Sequence, residues 1–206
     1  MRQETGRTNS QQSMNKVSIQ LKLDGHSFSI VGLDDLKSTP ATVLTVEVLT
    51  PRTMLVPQAL LNKEGMNEIM ELNGMAPKHH EMVVCDTHSD QQVAALMAVP
   101  RAAVEQIERR VESPLVFTSP LMTPLCATEP TAWIGFYNSL LYIKVYEDRL
   151  RFAEVISAPT QTDVAFFMDR LGREFPLQHF LLFVSGDESK QFGKMLSKRF
   201  KKIICE

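Results

Sequence analysis

Apolar and polar residues alternate twice near the start of the chain. Val17, Ile19, Leu21 and Leu23 are separated by Ser18, Gln20 and Lys22, and Phe28 and Ile30 resume the alternation beyond Asp24-Gly25. A period of two marks a half-buried strand, and Asp-Gly between two such runs predicts a hairpin because both residues tolerate positive φ. "TVLTVEVLT" (Thr42 to Thr50) is β-branched enough for a third strand. From Pro57 the spacing becomes helical, with Leu60, Leu61, Met66, Ile69, Met70 and Leu72 three or four residues apart and Gly74 as the stop. "EMVVCDTH" and "QQVAALMAVP" predict a strand pair around a Ser-Asp turn. Pro100 then opens a helix with Val104, Ile107 and Val111 on one face, and "PLVFTS" is a further strand.

The last third repeats much of this order. "TAWIGFY", "LLYIKVYE" and "RLRFAEVIS" predict a three-stranded meander with tight turns at Asn138-Ser139 and Asp148-Arg149. Tyr142, Lys144 and Tyr146 share one face of the middle strand, and Leu141, Ile143 and Val145 share the other. Thr160 and Asp163 form a capping box before a helix striped by Val164, Phe167, Met168, Leu171 and Phe175. "HFLLFVS" is almost wholly apolar, as in a strand covered on both faces. "KQFGKMLSKRF" predicts a last helix and "KKIICE" a last strand. Three strands, helix, strand, helix, strand is the order of a ribonuclease-H-like lobe. The first half follows the same plan with an added hairpin.

The expected fold is therefore α/β, with two ribonuclease-H-like lobes of mixed sheets flanked by helices. A polar tail at residues 1–15, rich in Gln, Ser, Thr and Asn, is expected to be disordered. Residues 16–128 form the first lobe, and 129–206 the second, minimal one. The proline-rich "PLMTPLCATEP" marks the boundary and stands where the first lobe's closing helix is expected.

Charge narrows the functional classes. The 206 residues carry 22 basic and 24 acidic side chains, so no net field attracts nucleic acid or an anionic membrane, and a nucleic-acid partner is not expected. Lys190, Lys194, Lys198, Arg199, Lys201 and Lys202 are a local basic run, read as a solvated face or a docking face. Cys85, Cys126 and Cys205 are odd in number and form no CxxC pair, which signals neither a disulfide framework nor a zinc site. The polar start has no apolar secretory core, and no apolar run nears the roughly 20 residues of a membrane span. A cytoplasmic, reducing location is expected.

"SIQLKLDGHSFSIV", "LVPQALL", "ALMAVP" and "LYIKVYEDRLRFAE" resemble a Bacteroidota family of unknown function with an actin-like ATPase fold. More distantly, the chain is similar to the cytoplasmic actin-like domains of type II secretion and type IV pilus assembly proteins. The resemblance covers about Lys16 to Glu206. It implies an actin-like arrangement of the lobes and a scaffolding role, with variable use of nucleotide.

Of the three phosphate or adenosine positions implied by that resemblance, two are degraded. Active relatives carry Asp-x-Gly-[Ser/Thr] in the first hairpin, where backbone N–H groups cradle phosphate. Here the turn is Asp24-Gly25-His26-Ser27, equally suited to a plain hairpin. The matching turn of the second lobe, Tyr137-Asn138-Ser139, has neither carboxylate nor glycine. The adenosine-side loop is Ser185-Gly186-Asp187-Glu188-Ser189, whose two acids repel phosphate and are expected to cap the following helix. Asp24, Gly25, Ser27, Asn138, Ser139, Ser185 and Gly186 thus make up a vestigial nucleotide-binding set.

Other chemistries find less support. The first strands "SIQLKL" and "AWIGF" lack the Asp of two-metal nucleases. His79, His80, His88 and Asp86 match no standard ligand spacing, so no metal is expected. GxSxG and GxxxxGK[ST] do not occur. The leading expectation is a non-catalytic interaction or assembly module that works through an unidentified protein partner or self-association, without a cofactor. Its exposed strand face around Tyr142 and Tyr146 is a candidate interface. The alternative is an ATP- and Mg²⁺-dependent ATPase or phosphotransferase using Asp24 and the Gly186 loop.

Overall fold

In a computed structural model, the chain is described over residues 16–24, 27–34, 43–87, 92–125 and 128–205. The expected disorder of residues 1–15, Gly25, and the Ser-Asp turn after "EMVVCDTH" lie outside these residues.

The second lobe follows its expected order. β8 (Thr131–Tyr137), β9 (Leu140–Tyr146) and β10 (Leu150–Ser157) form the antiparallel meander, followed by α3 (Gln161–Glu174), β11 (Leu181–Gly186), α4 (Ser189–Leu196) and β12 (Lys202–Cys205). The sheet order is β10-β9-β8-β11-β12, with β11 parallel to both β8 and β12. The capping box holds: the Asp163 N–H donates to Thr160 Oγ1 at 3.2 Å, and the Thr160 N–H donates to the Asp163 carboxylate at 2.9 Å. Val164, Met168 and Leu171 of α3, with Phe192 and Leu196 of α4, bury the apolar face formed by Ile134, Leu141, Ile143 and Val184.

The first lobe departs from that plan. β1 (Lys16–Asp24) and β2 (Ser27–Val31) pair as the expected hairpin, with Leu23 opposite Phe28. β3 (Val43–Leu49) does not continue a meander beside β2. It lies parallel to β1 on the other side, and β7 (Leu115–Thr118) pairs parallel to it, giving the order β2-β1-β3-β7. A parallel neighbour needs a crossover, which strand propensity alone does not signal.

The predicted helix from Pro57 is also redistributed. Thr53–Pro57 is a strand, β4, paired antiparallel with β6 (Val93–Pro100). Two 3₁₀ turns follow, Gln58–Leu60 and Lys63–Gly65, and only Met66–Leu72 forms α1. Pro57 and Gly65 both interrupt helix growth, and Leu60 is left 69% exposed. Gly74 follows the end of α1 at φ +72° and donates its N–H to the Glu71 carbonyl at 2.9 Å.

β5 (Glu81–Thr87) completes a separate sheet of order β4-β6-β5. One face of β6 packs Ala95, Met97 and Val99 into the first-lobe core with Val104 and Ile107 of α2 (Arg101–Glu108). Its other face packs Ala94, Leu96 and Ala98 against Met70 of α1. Burial on both faces explains why "VAALMAVP" is continuously apolar. Pro100 closes β6 and precedes α2 as its N-cap rather than standing inside the helix.

Candidate functional site

The two lobes meet along a third apolar cluster. Leu49 at the end of β3 and Leu121 pack with Trp133, Leu140, Tyr142 and Val155 of the second-lobe sheet. Leu121 belongs to the 3₁₀ turn Pro120–Met122, whose Met122 packs into the first-lobe core. Ser119–Met122, at the start of the proline-rich segment, is therefore a wedge buried between both lobes, while Thr123 and Pro124 just beyond it are exposed. The Leu121 N–H is satisfied by Ser119 Oγ at 3.2 Å. The expected interface around Tyr142 is corrected: Tyr142 is 0% and Lys144 is 1% exposed, because the wedge covers that face.

Beside this seam a cleft of about 520 Å³ opens between Leu23 at the end of β1 and the β8–β9 turn at Asn138 and Ser139. Thr50, Arg52, Lys78 and Glu81 form much of its remaining wall. Asp24 pairs in register with Ser27 across the first hairpin, next to Leu23. The cleft thus brings the first hairpin's end and the Asn138-Ser139 turn together. Ser185 and Gly186 are outside its described wall.

Each loop has a local reason for its shape. Asn138 and Ser139 adopt φ of 51° and 60°, the left-handed pair of a two-residue hairpin turn. Gly186 has φ +88°, and a Cβ on it would stand 2.2 Å from the Phe136 carbonyl oxygen. The Asp187 N–H donates to that carbonyl at 2.7 Å, and the Asp187 carboxylate accepts the Asn138 N–H at 3.1 Å. The Tyr137 hydroxyl donates to Ser185 Oγ at 3.2 Å. The adenosine-side loop is thereby closed onto the second-lobe turn. Asp187 does not cap α4 as expected. Glu188 holds the N-cap position at φ 54° with no side-chain capping bond.

A carboxylate on the Asn138 N–H does to that donor what a phosphate oxygen would do, and it adds a negative charge that repels phosphate. This arrangement does not fit a phosphate at the second-lobe turn. Across the cleft, Arg52 pairs with the buried Glu81 carboxylate and donates to the Ala76 carbonyl at 2.9 Å. Burial works to raise the Glu81 pKa. The Arg52 hydrogen bond, the Lys78 N–H and the Arg52 charge outweigh it, so the group lies below the usual carboxylate value.

Sequence reasoning missed Lys144. Its amine is covered by the wedge, donates to the Thr123 carbonyl at 2.5 Å, and lies 4.7 Å from the Trp133 ring centroid and 6.0 Å from that of Tyr146. Burial lowers its pKa to about 8. Period-two alternation placed Lys144 on the correct face, but nothing local signalled that this face is covered.

The remaining sequence candidates are dispersed. Asp86 is buried and accepts the Thr118 hydroxyl at 2.6 Å, while His79 and His80 meet edge to face and His88 is outside the described residues. Among the described residues no cluster of three potential metal ligands occurs. In the basic run, Arg199 pairs with Asp169 and Lys201 with Glu129. No described helix is long and apolar enough to cross a membrane.

No protein-family model and no curated protein matches the chain. Solved structures do. A Bacteroides thetaiotaomicron protein with an actin-like ATPase fold and unknown function superposes at a TM-score of 0.70, with 11% identity over 98% of this chain and 94% of that one. A chain of the PilM-PilN type IV pilus biogenesis complex superposes at 0.52, with 12% identity over 90% of this chain and 87% of that one. The cytoplasmic domain of EpsL, an inner membrane component of the Vibrio cholerae type II secretion system, aligns at 0.45 and 6% identity, with 82% of each chain covered. At these identities the likeness concerns the fold, and together with the two-lobed sheet topology it assigns this chain the actin-like ATPase fold.

Proposed function

We propose that this protein is a non-catalytic actin-like module that acts in protein–protein assembly, through an unidentified partner or its own copies, in the cytoplasm. The observation that carries this reading is the Asp187 carboxylate bound to the Asn138 N–H at 3.1 Å. The second-lobe turn has its own anion, contributed by the loop that would otherwise border a nucleotide. The fold likeness to a component of a pilus biogenesis complex supports the assembly role.

Thermal unfolding with and without millimolar Mg-ATP tests the claim. A ligand that binds only the folded state raises stability by RT ln(1 + [L]/Kd), so an unchanged Tm is expected. A rise of several degrees overturns the reading. Light scattering after size-exclusion chromatography then reports self-association.

A second reading is favoured by the 520 Å³ cleft between Leu23 and Asn138. In that reading the protein is a nucleotide-dependent ATPase or phosphotransferase that employs Asp24 and the Gly186 loop; the cleft supports the Asp24 side of it, whereas Gly186 lies outside the cleft's described wall. Phosphate release that disappears in Asp24→Ala is its required result.

A further inference from the structure

In the lobe seam the Lys144 charge has no opposite charge beside it among the described residues. Lys144 projects from β9 beneath the wedge, opposite Trp133 on β8 and Ala153 on β10, and it donates to the Thr123 carbonyl. No described carboxylate pairs with it. The residues facing it from β8 (Thr131, Trp133, Gly135), from β10 (Ala153, Val155) and from the wedge carry no ionisable side chain, and its own strand face adds Tyr142, on which the Glu47 charge acts, and Tyr146, both phenols shifted upward chiefly by burial. A fully buried ammonium is normally paired, because desolvation costs several kcal/mol per ion. The Trp133 face returns roughly 2 kcal/mol of this at most. The same amine is solvated when the wedge segment Ser119–Leu125 lifts from the second lobe.

We infer that Lys144 acts as a proton-loaded spring in the lobe seam: its buried charge biases the Ser119–Leu125 wedge toward release, and losing the proton locks the wedge down. The sign follows from linkage. The closed seam holds the amine near pKa 8, whereas the released, solvated amine has the ordinary value of 10.5. Release therefore takes up a proton and is favoured as pH falls through that interval. The seam is thus a conformational device, independent of any nucleotide at the cleft.

Hydrogen exchange of the whole protein, read on peptides covering residues 119–125 and 140–146 and corrected for intrinsic base catalysis, tests the device. Between about pH 6.5 and 9 the opening constant of the wild type is expected to fall roughly tenfold relative to Lys144→Met. Lys144→Met keeps the stem's bulk without the charge, so its wedge should be the better protected at pH 7. Lys144→Arg keeps the charge at every pH and should hold the wedge loosened without pH dependence. A pH response shared equally by wild type and Lys144→Met overturns the inference. So does a looser wedge in Lys144→Met, which would make the lysine a tie rather than a spring.

Discussion

The Asn138 N–H and the Asp187 carboxylate stand 3.1 Å apart, joining residues 49 positions distant in sequence. This contact closes the β11–α4 loop over the β8–β9 turn and sets a negative charge against the turn's N–H. Removing that charge tests the proposed absence of nucleotide binding. If Asp187 alone keeps phosphate out, Asp187→Asn should create a Tm increase with Mg-ATP that the wild type lacks. If the turn's lost glycine and carboxylate also matter, Asp187→Asn should remain unresponsive, and this second outcome is expected. The substitution should cost about 0.5–1 kcal/mol in urea unfolding, the scale of an exposed hydrogen bond.

Gly186 is the backbone condition for that closure. An added Cβ would lie 2.2 Å from the Phe136 main-chain oxygen and 2.8 Å from the Tyr137 ring at a φ of +88°, and a backbone oxygen cannot swing aside as a flexible side chain can. Gly186→Ala should therefore destabilise the fold by about 3 kcal/mol, read as a lower urea midpoint at unchanged m.

Arg52 keeps Glu81 ionised inside the cleft wall. Because the folded pKa of Glu81 is lowered, its contribution to stability is present above the unfolded value of 4.5 and is lost as pH falls through the folded value. Arg52→Met removes two of the influences that lower the Glu81 pKa and leaves burial opposed by the Lys78 N–H and the His80 charge, so the pKa should rise from its wild-type position. The variant should be about 2 kcal/mol less stable at pH 7 and should unfold at a higher pH in an acid titration followed by circular dichroism.

Lys144 works in the opposite direction along the pH scale. Its folded pKa of about 8 lies below the ordinary 10.5, so the folded state binds fewer protons than the unfolded chain in that window. Stability should rise with pH there, by about 2 kcal/mol between pH 7.5 and 9.5 in urea unfolding. Lys144→Met should flatten the rise. Measurement stops short of pH 10, where ionisation of tyrosines in the unfolded chain begins to oppose it.

Much of the architecture was legible in local pattern. The Val17–Leu23 alternation, the Asn138-Ser139 turn and the Thr160–Asp163 box specify their elements through side-chain period, positive-φ tolerance and a hydrogen bond three residues long. The second lobe could be ordered from such signals because its strands pair with sequence neighbours before its helices begin. Tertiary structure decided what depends on distant partners. Val43–Leu49 reads as a strand, yet only pairing with β1 puts it on the far side of the hairpin. Thr53–Pro57 is strand rather than helix because β6 supplies its hydrogen bonds. Asp187 finds Asn138 instead of its own helix, and Lys144 is buried instead of solvated, because a loop and a wedge fold over them from elsewhere in the chain. Local sequence sets dihedral preference and facial alternation. Burial and charge pairing depend on which other surface arrives, and that is a property of the assembled lobes.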